Sequence, residues 1–321
     1  GTQRRLHKRY LHTVLEFSIQ SPDAFSKNSI YAGQINGQVL PIMPVSVLLV
    51  VLLGALLHAS WNLLVKLGRN THIATANVFI GSGALAAMAL PFLPFPARAS
   101  WPYLAASVVA ELIYGMLLAT AYRTGDLSHT YPLMRGTAPM LVAFGSFALV
   151  GERLSGLGWT GVSLISGGIL LLIFDAHFRG RSASATQFAL LTAFVIASYT
   201  TVDGVGVRVS GNAIAYAFWI FFLTGVPWLI WTALRGRVDR SAQLRRQLPL
   251  GIVGGACSLG SYAIALWAMT RAPVAAVAAI RETSIVFGMV LGALVLHERV
   301  TWIRALAAIA VTLGVGVIRA G

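Results

Sequence analysis

From Met43 to the C-terminus the chain is a succession of ten apolar runs, each about as long as a helix that crosses a bilayer. They cover residues 44–65, 73–93, 102–122, 130–150, 157–174, 186–206, 213–233, 249–270, 274–296 and 301–318. A hydrocarbon core about 30 Å thick takes ~20 residues of helix. Lipid offers exposed peptide groups no partner, so each run must close its own hydrogen bonds, and only a helix does that within one segment. The alternating ten-residue pattern of a closed barrel is absent. Short polar, Pro-rich or Arg-rich breaks separate the runs, so neighbouring helices are antiparallel. The expected fold is all-α: a polytopic membrane protein of ten transmembrane helices.

Composition agrees. Only 11% of the residues are charged, 57% are hydrophobic, and mean hydropathy is +0.75. A soluble domain carries roughly 25% charged residues, so this chain has too few to cover itself in water. Its net charge of +14 would suggest nucleic acid in a soluble protein. Here the arginines sit mostly between apolar runs, where headgroups take them, and no nucleic-acid partner is expected. The single cysteine, Cys257, lies inside an apolar run and reads as a packing residue. It allows no disulfide framework. No GxxxxGK[ST], HExxH or GxSxG pattern is present, so no ATP site, metal, cofactor or catalytic residue is expected. Residues 1–42 differ in kind, with a basic cluster at Arg4, Arg5, Lys8 and Arg9 followed by polar sequence. Met43 reads as the natural start, and 1–42 as an upstream extension or disordered tail.

The chain repeats itself. VGERLSGLGWTGVSLISGGILLL from Val150 answers LHERVTWIRALAAIAVTLGVGVI from Leu296. Glu152 and Glu298 are 146 positions apart, and at that offset Arg135 pairs with Arg281, Thr124 with Thr270, and Gly168 with Gly314. ASWN at Ala59 answers ASYT at Ala197 with a slightly different offset. Helices 1–5 (43–178) and 6–10 (185–319) therefore read as copies. An odd number of crossings per copy places the second upside-down relative to the first, the plan of secondary transporters with a site between the halves. The spacings Gly251–Gly255 and Gly288–Gly292 suit close helix contact. Loops after odd-numbered helices hold eleven Lys and Arg against five on the other side. If the tail is discounted, that places both termini outside.

The segment AYRTGDLSHTYPLMRGTAPMLVAFGSFALVGERLSGLGWTGVSLISGGILLL resembles the EamA domain of the drug/metabolite transporter superfamily. The Glu-Arg helix end recurs in the second copy, and HASWNLLVK at His58 is similar to the first helix of such proteins. The resemblance implies ten helices around a central cavity, alternating access, and passage of amino acids, sugars, nucleotide-sugars or drugs. It implies termini inside, against the charge count, and orientation stays open. The second copy departs at one place: YPLMR is answered by VAAIR, with only the arginine shared.

Polar groups inside apolar helices are costly and usually face a cavity or a partner. His58, Trp61 and Asn62 fall on one face of helix 1. Glu111 and Tyr114 are three apart on helix 3, Tyr131 and Arg135 four apart on helix 4, and Tyr199 and Asp203 four apart on helix 6. Tyr262 lies on helix 8, and Arg281 stands beside Glu282 on helix 9. Apart from Asp203, these are the candidate substrate-binding residues. Glu111 and His58 are the proton-coupling candidates, because histidine titrates near neutrality and burial raises a carboxyl group toward it. A salt bridge from either arginine to Glu111, Asp203 or Glu282 is as compatible with the sequence as substrate contact. By the inverted repeat, Arg135 and Arg281 are expected in vestibules toward opposite faces. Glu152 and Glu298 read as helix-end ion-pair residues.

The function so indicated is secondary transport, as an exporter, of a small polar or anionic metabolite such as an amino acid. The expected place is a bacterial inner (plasma) membrane. The partners are the lipid bilayer and a small-molecule substrate, with a homodimer left open. The alternative is a membrane-embedded enzyme or lipid-modifying accessory protein, for which the sequence offers no clustered nucleophile or metal site.

Overall fold

The computed structural model describes residues 43–68, 71–124, 127–174, 183–235, 238–298 and 300–321. The expectation for residues 1–42 lies outside them. Among the described residues there is no strand, and ten spans are long and apolar enough to cross a membrane, from Val45–Leu67 to Trp302–Ala320. The α-helices are α1 (Val45–Leu67), α2 (Thr71–Ala89), α3 (Trp101–Thr124), α4 (Leu127–Gly145), α5 (Gly156–Leu171), α6 (Ala183–Val209), α7 (Ala213–Arg235), α8 (Val238–Met269), α9 (Val274–Arg281), α10 (Ser284–Val295) and α11 (Trp302–Ala320). The run expected as one helix over 274–296 is two, α9 and α10, joined by a tightened turn. The amides of Glu282 and Thr283 bond three residues back, to Ala279 and Ile280.

The outer surface is apolar, with Leu49, Leu149, Phe194 and Leu313 each more than half exposed. Such a surface is stable against acyl chains and not against water.

Packing follows the repeat. Swapping each span for its counterpart five further on turns the α3–α6 contact into α8–α1, and the α4–α6 contact into that of α9 and α10 with α1. The α5–α11 and α2–α7 pairs map onto themselves. Two contacts, α2 on α8 and α4 on α5, lack partners of equal extent in the other half.

Backbone detail repeats too, at the 146-residue offset. Gly151 and His297 both adopt left-handed conformation, at φ 73° and 54°. The amides of Glu152 and Glu298 bond back to Ser146 and Gly292. The hydroxyls of Ser155 and Thr301 accept from Gly158 and Arg304 amides, capping α5 and α11. A left-handed position suits glycine, so His297 shows that the turn is imposed by the fold rather than by its residue.

Glycine sets the closest helix approaches. A Cβ at Gly81 would stand 2.5 Å from the Gly251 carbonyl oxygen, and one at Gly255 would stand 2.4 Å from the Ser82 amide nitrogen, both where α2 crosses α8. Gly161 and Gly314 play the same part where α5 crosses α11. The Gly251–Gly255 spacing does serve a helix contact. The Gly288–Gly292 spacing does not: Gly288 faces open space, and Gly292 meets only the Glu298 carboxylate.

Gly81→Leu is expected to cost about 1–3 kcal/mol or more through overpacking. Gly167→Ala, where a Cβ meets nothing within 4 Å, should leave stability unchanged or slightly higher. Melting of detergent-purified protein followed by fluorescence size exclusion separates the two.

Candidate functional site

Both copies lose one helical hydrogen bond at the same place by different chemistry. Arg135 lies four residues before Pro139, which has no amide to give, so the Arg135 carbonyl loses its helical donor. At the equivalent place in the second copy, the Ile285 amide bonds to Glu282 instead of to Arg281. Each irregularity holds an arginine at its centre, inside the bundle.

Arg135 Nε approaches Glu282 Oε2 at 2.9 Å, with both side chains less than a tenth exposed. The contact is ionic rather than an aligned hydrogen bond, since neither atom finds a hydrogen-bond partner. It joins α4 of the first half to the α9–α10 turn of the second. Arg135 Nη2 and Arg281 Nε are buried donors with no hydrogen-bond acceptor among the described residues. Arg281 makes no ion pair among the described residues. Its guanidinium lies 5.0 Å from the ring centre of Tyr262, within cation–π range.

Aromatic rings cluster around these arginines. Tyr114 meets Tyr199 edge-on at 6.1 Å, Tyr199 meets Tyr262 at 6.3 Å, and Phe221 meets Tyr262 at 6.0 Å. Tyr131 lies within the electrostatic reach of Arg135 and Glu282. Glu111 is buried beside Thr224 of α7, near Asp203 and Arg281.

Behind the wall sits Asp203, fully buried on α6. Its carboxylate accepts from Ser107 Oγ at 2.9 Å, from the Tyr216 hydroxyl at 3.0 Å and from the Tyr262 hydroxyl. Three helices thereby satisfy a charge that lipid would not tolerate. The sequence marked Asp203 only as four residues after Tyr199. Ser107 and Tyr216 carry no signal of their own, because their role exists only where α3 and α7 meet α6.

Helix α1 contributes unequally. His58 faces the site, within the electrostatic reach of Arg135 and Arg281. Trp61 packs on Val65, Ala74 and Val78 and donates to His58 Nδ1 at 3.3 Å. Asn62 turns back onto its own helix, its Nδ2 donating to the His58 carbonyl at 2.7 Å. Arg135 contacts Glu282, the neighbour of Arg281, and both arginines act on one histidine. Arg135, between two prolines, is the sixth residue of the span Thr130–Val150, and Arg281 is the eighth of Val274–Val295. A small apolar recess beside Leu64, Ala74 and Leu250 is separate from this cluster and offers no polar group.

At the membrane faces Glu152 and Glu298 do form ion pairs. Glu152 Oε1 meets Arg208 Nη2 at 2.5 Å, and its Oε2 accepts the Val274 amide at 2.9 Å. Arg208 also donates to the carbonyls of Met269 and Ala272. Glu298 pairs with Lys66 and lies 3.6 Å from Arg304. The Lys66 ammonium beside Glu298 holds its carboxyl below the usual glutamate range.

A bundle of ten apolar helices enclosing unpaired guanidinium donors defines an integral membrane protein with a polar interior. Residues 183–320 match the model of the EamA-like transporter family. The fold is similar to that of a solved protein described as "Crystal structure of protein", with TM-score 0.66 and 18% identity over 85% of this chain and 97% of that one. No curated protein matches the chain.

Asp203→Ala strands three buried hydroxyls and is expected to cost about 3 kcal/mol or more. Asp203→Asn, which keeps an acceptor, should cost less, and thermal melts rank the two. Because the carboxyl of Glu298 is depressed in the folded state, its contribution is present above the unfolded value and lost as pH falls through the folded one. The melting-temperature gap between wild type and Lys66→Gln is therefore expected to hold from neutrality to about pH 4.3, and to close below it.

Proposed function

We propose that the protein is a secondary transporter exporting a small anionic or zwitterionic metabolite, of amino-acid type, across a bacterial inner membrane. The two inverted halves, 43–178 and 185–319, rock about the central site in alternating access. One observation carries this reading: two arginines from equivalent places in the two halves present buried, unmet N–H donors beside one cluster of tyrosines. A carboxylate is the ligand that such forks recognise. Arg135 is already half-neutralised by Glu282, so Arg281 supplies the larger share of the attraction. The tyrosine faces suit an apolar or aromatic side chain. Glu111, without an ion pair among the described residues, suits the substrate's ammonium group. Glu111 and His58 are the groups here that can carry a proton through the cycle.

Arg281→Gln is expected to weaken substrate affinity about tenfold or more, as loss of a charge-assisted hydrogen bond worth ~1.5–3 kcal/mol implies. Counterflow of radiolabelled amino acids and dicarboxylates into proteoliposomes measures it. Unchanged transport of the true substrate by Arg281→Gln would sink the assignment.

A further inference from the structure

Two ion pairs occupy equivalent places in the two copies and differ sharply in environment. Glu152 and Glu298 are 146 positions apart, and each follows the fourth span of its half. Their partners, Arg208 and Lys66, each lie in the last turns of the first helix of the opposite half. Each pair therefore ties one half to the other. Counting crossings, the connections after spans 4, 6 and 8 share one face, and those after spans 1 and 9 share the opposite face. The Glu152 pair and the Glu298 pair thus stand on opposite sides of the membrane.

The Glu152 pair is sealed. Glu152 and Arg208 side chains are 3% and 13% exposed, and both bond to the backbone between Met269 and Val274, where α8 passes to α9. The bridge from the Ala97 amide to the Ser210 carbonyl closes the same face further. The Glu298 pair is open, with Lys66 57% and Glu298 34% exposed.

We propose that Glu152–Arg208 and Glu298–Lys66 are the two closures of the transport pathway, one per face, exchanging burial as the protein changes the side it opens. This rests on the transporter reading above. In the structure the Glu152 pair is buried and the Glu298 pair is solvent-facing. When the halves exchange conformations, Glu298 and Lys66 become buried against the first turn of α4, as Glu152 and Arg208 are against the first turn of α9. Isolated ion pairs serving only as local staples would show no such reciprocity.

Spin-label distances in nanodiscs, in a Cys257→Ser background, test this without any substrate. Labels at Arg153→Cys and Arg271→Cys, both at exposed positions, report the Glu152 face. Labels at Leu67→Cys and Val300→Cys, 48% and 54% exposed, report the other. Glu152→Gln leaves Arg208 buried and unpaired, so the population sealed at that face should fall about tenfold or more relative to the alternative. The first distance then lengthens while the second shortens. Adding Glu298→Gln should partly reverse both changes, because the alternative state loses its own closure. If Glu152→Gln is not recovered as a monodisperse protein, Glu152→Asp draws the carboxylate back from Val274 and should shift both distances the same way, by less. No change at either face overturns the proposal. So does lengthening at the Glu152 face with no shortening opposite. A protein that moves none of the tested solutes yet shows reciprocal distances would sink the substrate assignment and leave the paired closures standing.

Discussion

The contact between Arg135 and Glu282 is the hinge of the architecture. It places a full positive and a full negative charge inside a protein whose outer surface is hydrocarbon-facing. Neither charge survives there alone, since losing one partner of a buried pair typically costs ~3–5 kcal/mol. The pair holds only if α4 and the α9–α10 turn meet, so it requires both halves to be assembled around it. The tyrosines, Glu111 and Asp203 then have a polar interior to face, and the unmet donors of the two arginines acquire a meaning they would lack on a surface.

The break in the ninth span belongs to the same logic. A continuous helix at that place would spend the Arg281 carbonyl on the Ile285 amide; the tightened turn gives that amide to Glu282. The fourth span reaches a like result through Pro139. Two unrelated sequences, MRGTAP and IRETSI, thus produce one irregularity at one level. Discontinuous helices at a repeat interface are where polar ligands can be met by backbone as well as side chains.

Symmetry is kept at the turns and caps and broken in the helix packing. The left-handed turns, the bonds of the Glu152 and Glu298 amides and the caps at Ser155 and Thr301 recur residue for residue. The extensive α2–α8 contact has no equal on the other side, and its glycines draw the two backbones together. Equivalent ion pairs consequently sit in unequal surroundings.

Much of this was legible before any coordinates. Apolar run length dictated ten spans, because lipid permits only self-satisfied backbone. The 146-residue offset exposed the duplication, and an odd number of crossings dictated its inversion. Polar residues inside apolar runs named most of the site, because charge in lipid demands enclosure. What the sequence could not decide was partnership. Three acidic groups could have met Arg135; packing chose Glu282. Arg135 reaches Glu282, the neighbour of Arg281, because the level of a side chain depends on helix depth and tilt, which neighbouring helices set. Asn62 turned onto its own backbone, and Asp203 became the centre of a hydroxyl network assembled from three other helices. Spacing along one helix settles which residues share a face. Only tertiary structure settles what that face meets, because the answer lies on chain segments far away in sequence.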